Sequence, residues 1–209
     1  MTNFKIVLLA RDCDSSAIVY NYLKQFFSIE AIVLEKTLPK IKQFLRRAKK
    51  HGWWTAAGQV AFMIIVYPLL KIFSRKRKKE IFGQYGLDVS PLPEKLITRV
   101  KSLNTAAARE LLQKLKPDLL LVNGTRIISG KTLACVPAPF INIHVGITPL
   151  FRGVHGGYWA VATGRKDLFG STIHYVDAGV DTGGIIEQVF TCPDKKDNFY
   201  TYPLSLIHI

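Results

Sequence analysis

Acidic residues are scarce in this chain. Asp and Glu number 15 against 29 Lys and Arg, a formal net charge of +14 over 209 residues. By itself that imbalance points to nucleic acid or to an anionic membrane surface. Cysteine is scarcer still: Cys13, Cys135 and Cys192 are scattered, with no Cys-x-x-Cys spacing. This argues against a disulfide framework and a zinc ribbon, and suits a reducing cytosol. Histidine and cysteine form no cluster with ligand spacing, so no metal is expected. The opening MTNFKIVLLARDCD carries an apolar run of about six residues. That is shorter than the ~7–15 of a secretory leader, so no signal peptide is expected. Internal repeats and low-complexity segments are also missing. Hydrophobic residues at 48% and charged residues at 21% fit a globular chain, long enough for one domain with an insertion.

The charge is local. Thirteen of the basic residues lie between Lys36 and Glu80 against one acid, a net of +12, which leaves +2 for the other 164 residues. They form two clusters, Lys36–Lys50 and Lys71–Lys79, around WWTAAGQVAFMIIVYPLLKI, Trp53–Ile72. That apolar block has the ~20-residue length of a membrane span, and Trp53, Trp54 and Tyr67 resemble interfacial anchors. A single span would interrupt one αβ domain, Gly58 and Pro68 should disturb a regular helix, and both flanks are basic. An element lying on or dipping into an anionic membrane fits better. Helices packed on the domain or on a second subunit, a true span, and an RNA contact stay open. RNA contact is the weaker reading, because the aromatics are not interleaved with the basic residues.

Outside this insertion the pattern alternates strand and helix. Lys5–Ala10 reads as a buried strand, Ala17–Phe27 as a helix capped by Asp14, Ser15 or Ser16, and Ala31–Leu34 as a second strand. Further strands are expected at Ile97–Val100, Leu119–Val122, Phe140–His144, Ser171–Val176 and Ile185–Phe190, with helices over Thr105–Lys116 and from Tyr158. The fold class is α/β: a Rossmann-like, doubly wound, mostly parallel sheet with a basic apolar helical insertion.

Two stretches carry chemistry. Asn142 and His144 sit two residues apart on one strand face, at the carboxyl end where open α/β sheets place ligands. Asp177 and Asp181 sit in the Gly-rich loop DAGVDTGG. An amide can donate to an oxyanion, an imidazole can move a proton, and a carboxylate can hold and tune the imidazole. Individually each residue also reads as a capped strand end or a turn.

In combination, INIHVGITPLFRG, GSTIHYVD and AGVDTGGIIEQ resemble, in order and spacing, the folate-dependent formyltransferase family. That family includes the glycinamide ribonucleotide, methionyl-tRNA and nucleotide-sugar formyltransferases. The likeness covers Lys116–Pro203 and extends weakly to Lys5. It implies a catalytic triad of Asn142, His144 and Asp181 and a co-substrate, N10-formyltetrahydrofolate, with no metal. The folate would lie against Gly124, Thr125, Arg126, Ile127 and Ile128 and the loop Val176, Asp177, Ala178, Gly179 and Val180. Ile127 and Ile128 would form its apolar wall, while Arg126 has a solvent-facing alternative. His174 is taken as structural, and His155 as a loop residue that either contacts the acceptor or faces solvent. An amine would attack the formyl carbon, with Asn142 Nδ2 and protonated His144 holding the oxyanion.

The chain departs from the family where the purine-pathway members carry a Gly-rich phosphate loop. Here the place reads Ala10-Arg11-Asp12-Cys13-Asp14-Ser15, with two carboxylates that would repel a phosphate. The methionyl-tRNA enzymes carry a further C-terminal domain for tRNA, which is expected to be absent or truncated here. The preferred acceptor is therefore a small-molecule amine, an amino sugar on a nucleotide or lipid carrier, with the insertion at 36–80 holding the enzyme at the inner face of the membrane. Alternatives are a methionyl-tRNA formyltransferase-like enzyme, a formyltetrahydrofolate hydrolase and, last, a non-catalytic membrane or nucleic-acid adaptor. Residues 1–203 are expected to form the catalytic domain. The final LSLIHI, Leu204–Ile209, resembles a translated sequencing adapter, so the natural protein is expected to continue past Pro203.

Overall fold

The computed structural model describes residues 4–37, 48–49 and 52–207. Most of the basic cluster Lys36–Lys50 lies outside the described residues, as does His208. Strand β1 (Ile6–Ala10) is buried along its whole length, as a central parallel strand must be. Its side chains alternate between two layers. Val7 and Leu9 join Leu112, Leu120 and Phe140 on one face, and Ile6 and Leu8 join Val19, Ile32 and Leu34 on the other. Each such aliphatic side chain contributes about 1.5–3 kcal/mol when fully buried. The two layers are helix α1 (Asp14–Leu23) on one side and α5 (Ala106–Leu115) on the other, flanking β2 (Ile29–Glu35), β3 (Ile97–Val100) and β4 (Leu119–Asn123).

The sheet has seven strands in the order β3-β2-β1-β4-β5-β6-β7, completed by β5 (Phe140–His144), β6 (Gly170–Tyr175) and β7 (Ile185–Phe190). The first five strands in that order pair in parallel, and β5–β6 and β6–β7 are antiparallel. The doubly wound expectation holds. The strand order reverses between β1 and β4, which places a crevice over their carboxyl ends.

Helix α1 starts three residues earlier than expected. Extended Cys13 is its N-cap and offers its carbonyl to the amides of Ser16 and Ala17. Asp14 sits in the first turn, where the helix dipole favours it. The helix stops at Leu23, beyond which Phe26 and Phe27 face solvent and have no core to join.

The described part of the insertion from Trp53 onward is helical. Trp53–Phe73 is one 21-residue helical stretch, comprising α2 (Trp53–Ala61), a π turn (Phe62–Val66) and α3 (Tyr67–Phe73). Gly58 leaves it regular, whereas the disturbance expected at Pro68 takes the form of the π turn. The wider π turn lies just ahead of Pro68, where the ring would clash with an α-helical carbonyl and no N–H is available to bond it. Helix α4 (Arg75–Tyr85) returns the chain to the domain. Its Ile81 is fully buried, Arg77 pairs with Asp194 and Asp197 at 2.8 Å each, and Lys78 reaches Asp14 at 2.7 Å. Two cations of the basic run are thus spent on structure. The remaining short helices are α6 (Gly130–Leu133), α7 (Gly156–Ala162) and α8 (Tyr202–Ile207). In α8, Leu206 packs buried with Phe169 and Tyr202.

Candidate active site

Asn142 and His144 alternate on β5 so that both reach the crevice at the sheet's carboxyl edge. Antiparallel β6 sets His174 directly opposite Asn142. Asp181 arrives from the loop after β6, held in the left-handed region at φ 50°. The four side chains line one cleft of about 590 Å³. That volume falls within the ~300–1,000 Å³ of small-molecule sites.

Asp181 is the hub. Its Oδ2 accepts the Gly153 amide at 2.8 Å and lies 3.5 Å from His144 Nδ1. Its Oδ1 lies 3.4 Å from both His174 Nε2 and Asn142 Nδ2. Burial pushes the carboxyl up, but the hydrogen bond from His174, the nearby charge of His144 and the Gly153 amide together leave it below the usual value. His174 Nδ1 donates to the Tyr175 carbonyl at 2.8 Å, and its Nε2 is 3.1 Å from Asn142 Nδ2. The hydrogen bond to Asp181 raises the His174 pKa against the opposing effect of burial. His144 Nε2 donates to the Phe151 carbonyl at 2.9 Å. The loop Thr148–Gly157 is therefore tied to the site twice, through Phe151 and through Gly153.

His174, expected to be structural, lines the same cleft and contacts both Asn142 and Asp181. The signal for it was the β5–β6 register, which strand alternation alone does not provide. The pair also sets a pH dependence. The stabilisation from the raised His174 is complete below the unfolded value of about 6.5 and fades as pH rises through the higher folded value; that from Asp181 is present above the ordinary carboxylate range and fades below it. Asp181→Asn, which tolerates the left-handed backbone, is expected to return His174 towards about 6.5. A pH titration of the His174 ring protons by NMR checks this; an unchanged midpoint would disprove the pairing.

Two glycines make the loop's seat. A Cβ on Gly156 would lie 2.6 Å from the Phe151 carbonyl oxygen and 2.8 Å from Gly146 Cα. A Cβ on Gly146 would meet the same oxygen at 2.7 Å and His144 Nε2 at 2.8 Å. All but the His144 ring are backbone and cannot step aside, and that ring is itself held by the Phe151 carbonyl. Gly156→Ala is expected to destabilise the fold by about 1–3 kcal/mol through overpacking and to unseat His144. Thermal melting and turnover measured together test this, and a wild-type result in both would refute it.

The residues expected to hold a folate distribute unevenly. Gly124 (φ 67°), Thr125, Arg126 and Ile127 line the cleft, as do Val176, Asp177, Gly179 and Val180. Ala178 is not among the lining residues. Ile128 touches the cleft but is buried in the core cluster, so the open apolar wall is Ile127. Asp177 closes its own turn, accepting from the Gly179 amide at 3.0 Å and Thr182 Oγ1 at 2.7 Å. Arg126 does not simply face solvent. Its guanidinium lies 2.9 Å from Glu35 Oε1 and its amide donates to Glu35 Oε2 at 2.9 Å.

Glu35 was not singled out by sequence reasoning. It is buried at the end of β2, and its Oε1 also accepts from Ser102 Oγ at 3.1 Å and the Leu103 amide at 3.0 Å. Burial raises its carboxyl pKa, and the hydrogen bonds and charge of Arg126, with the Leu103 amide, bring it below the usual value. It clamps the loops after β3 and β4 together.

At the first βα loop the cleft is lined by Arg11 and Ser15, not by carboxylates. Asp14 is engaged by Lys78, so the expected repulsion of a phosphate is weakened. Asn123, also lining, donates to Ser15 Oγ at 2.9 Å and Ser16 Oγ at 3.0 Å. His155 does not line the cleft. It packs against Phe199 and hydrogen-bonds with Tyr202 Oη at 3.2 Å.

An amide, two imidazoles and a carboxylate thus converge in one cleft at the carboxyl edge of a doubly wound α/β sheet. Residues 32–198 match the family model described as Formyl transferase, and the chain belongs to that family. It is 37% identical over 91 residues to a methionyl-tRNA formyltransferase of Syntrophus aciditrophicus, a match covering 43% of this chain and 29% of that protein. It is 36% identical over 84 residues to formyltetrahydrofolate deformylase 1, mitochondrial, of Arabidopsis thaliana, covering 40% and 26%. These matches span well under half the length of the curated relatives. A solved phosphoribosylglycinamide formyltransferase from Streptococcus pneumoniae shares the fold, with a TM-score of 0.60, 23% identity and coverage of 98% of this chain and 91% of that one.

Proposed function

We propose that this chain transfers a formyl group from N10-formyltetrahydrofolate to an amine. The observation that carries the reading is the convergence of Asn142, His144 and Asp181 in one cleft. The residues present fit the folate: Gly124 brings backbone close at positive φ, Ile127 supplies an apolar surface that is 57% exposed, and Val176 also lines the cleft. When bound, the co-substrate supplies an electrophilic formyl carbon attached to N10. The amine nitrogen bonds to that carbon, the carbon–N10 bond breaks, and one proton passes from the amine to N10. Asn142 Nδ2 gives up its long 3.4 Å bond to Asp181 to hold the developing oxyanion. His144 relays the proton, and Asp181 keeps both imidazoles oriented.

The preferred acceptor is an amino sugar on a nucleotide or lipid carrier. Arg11 at the cleft supports an acceptor bearing phosphate, and the apolar insertion supports a place at the inner face of an anionic membrane, with the enzyme otherwise cytoplasmic. Methionyl-tRNA, phosphoribosylglycinamide and water, suggested by the names of the relatives, are the competing acceptors. An assay of the full-length protein with N10-formyltetrahydrofolate against amino sugars, glycinamide ribonucleotide and charged initiator tRNA decides among them. Formate released without any amine would make the enzyme a hydrolase, and no turnover with any acceptor would overturn the reading.

A further inference from the structure

The outer end of the apolar helix carries a second, separate cavity. Pro68, Lys71, Ile72, Arg75, Lys78 and Tyr200 enclose about 390 Å³ where α3 gives way to α4. Three cations face one space. Lys78 is neutralised by Asp14, but Lys71 and Arg75 make no ion pair among the described residues. The cavity also lies at the first turn of α4, an 11-residue helix with no side-chain cap. Uncapped N–H groups and the positive end of the helix dipole favour an anion there.

Its surroundings are apolar and bare. Along Trp53–Phe73 the side chains Trp54, Ile64, Ile65, Ile72 and Phe73 are all more than half exposed, Trp54 at 92%. The helix cannot be wholly immersed, because its middle is seated on the domain. Phe62 packs edge-on against Phe199 and Tyr67 against Tyr200, with ring centres 5.4 and 5.5 Å apart. One side of the helix is thus held by protein while the other is apolar and unpartnered, with basic residues at its end.

We infer that the Lys71–Arg75–Lys78 cavity is a phosphate subsite for an anionic membrane lipid, and that it fixes the helix Trp53–Phe73 in the plane of the bilayer surface. The inference rests on the membrane-surface reading above but not on formyl transfer. Charge complementarity selects the occupant: cations beside exposed isoleucine and phenylalanine match a headgroup phosphate above acyl chains. A free phosphate would leave the apolar side chains uncovered, and RNA would meet Ile64, Ile65 and Phe73 with no hydrogen-bonding partner.

Sedimentation of the full chain with phosphatidylglycerol-containing vesicles, against pure phosphatidylcholine vesicles, tests this. Binding is expected only to the anionic vesicles. Lys71→Gln and Arg75→Gln should each weaken it about five-fold, the equivalent of about 1 kcal/mol per basic residue at a charged bilayer, while leaving the thermal melt unchanged. Ile64→Ser/Ile65→Ser should weaken binding without changing its dependence on anionic lipid. No binding of the wild type would overturn the membrane reading as a whole. Wild-type binding that both Gln variants retain in full would overturn only the phosphate subsite. Displacement by millimolar inorganic phosphate would assign the cavity to a free anion, and tighter binding to RNA than to vesicles would assign the surface to nucleic acid; either result would overturn the proposal.

Discussion

Asn142→Ala is expected to lower the rate of formyl transfer on the order of 10²–10³-fold, the usual effect of deleting one oxyanion donor. The loss should fall on kcat and leave KM nearly alone, because the donor is used fully only as charge develops on the formyl oxygen. Two further consequences follow from the geometry. Asn142 Nδ2 also lies 3.1 Å from His174 Nε2, so its removal frees one face of that ring. His144 shares Asp181 with it, so an Asn142→Ala/His144→Ala double variant should be far less impaired than the product of the single effects. Steady-state kinetics on the three variants, with circular dichroism as a check of folding, measure this. Activity within a few-fold of wild type in Asn142→Ala would remove the amide from the mechanism.

Glu35→Ala should destabilise the fold by about 1–3 kcal/mol, the cost of leaving a buried hydrogen-bonding group without its partner. The carboxylate is buried and serves three loop groups besides the Arg126 side chain. Its loss strands the Leu103 amide inside the protein, while the partly exposed Arg126 guanidinium keeps the Lys101 carbonyl. The effect has a pH signature. Because the folded pKa of Glu35 is depressed, its stabilisation is full above the ordinary carboxylate value of about 4.3 and is lost as pH falls below it. Melting curves of wild type and variant should therefore lie far apart at neutral pH and approach each other in acid. Curves separated equally at all pH values would show that the charge of Glu35 is not what matters. Glu35→Gln, which keeps the shape, separates lost charge from lost packing.

The sheet was legible because its central strands are short, apolar and bounded by turns, and because β1 and β4 are too hydrophobic to be anything but buried. Asn142, His144 and Asp181 were legible through spacing and family likeness. His174 and Glu35 were not, for a common reason. Each makes its contacts to parts of the chain far away in sequence: His174 by facing Asn142 in the β5–β6 ladder, Glu35 by reaching Leu103 and Arg126 in the loops after β3 and β4. Linear spacing holds no trace of either contact. A disturbance at Pro68 was expected from local chemistry, which does not say that it takes the form of one π turn in a continuing helix. Asp14 was read as repelling a phosphate because its partner, Lys78, lies 64 residues away in the chain.

The insertion enters the crossover between β2 and β3, and β3 is an edge strand. In polymer terms that crossover is a loop whose closure entropy grows only with the logarithm of its length. Each doubling costs about 0.6 kcal/mol, less than one buried valine recovers. The strands that carry Asn142, His144 and His174 lie beyond β1 and β4 from that edge, and their pairings enclose none of the added chain. A domain of this kind can thus acquire or shed an apolar helix at its rim with little change in its own stability, and the catalytic strands need not be re-registered when it does.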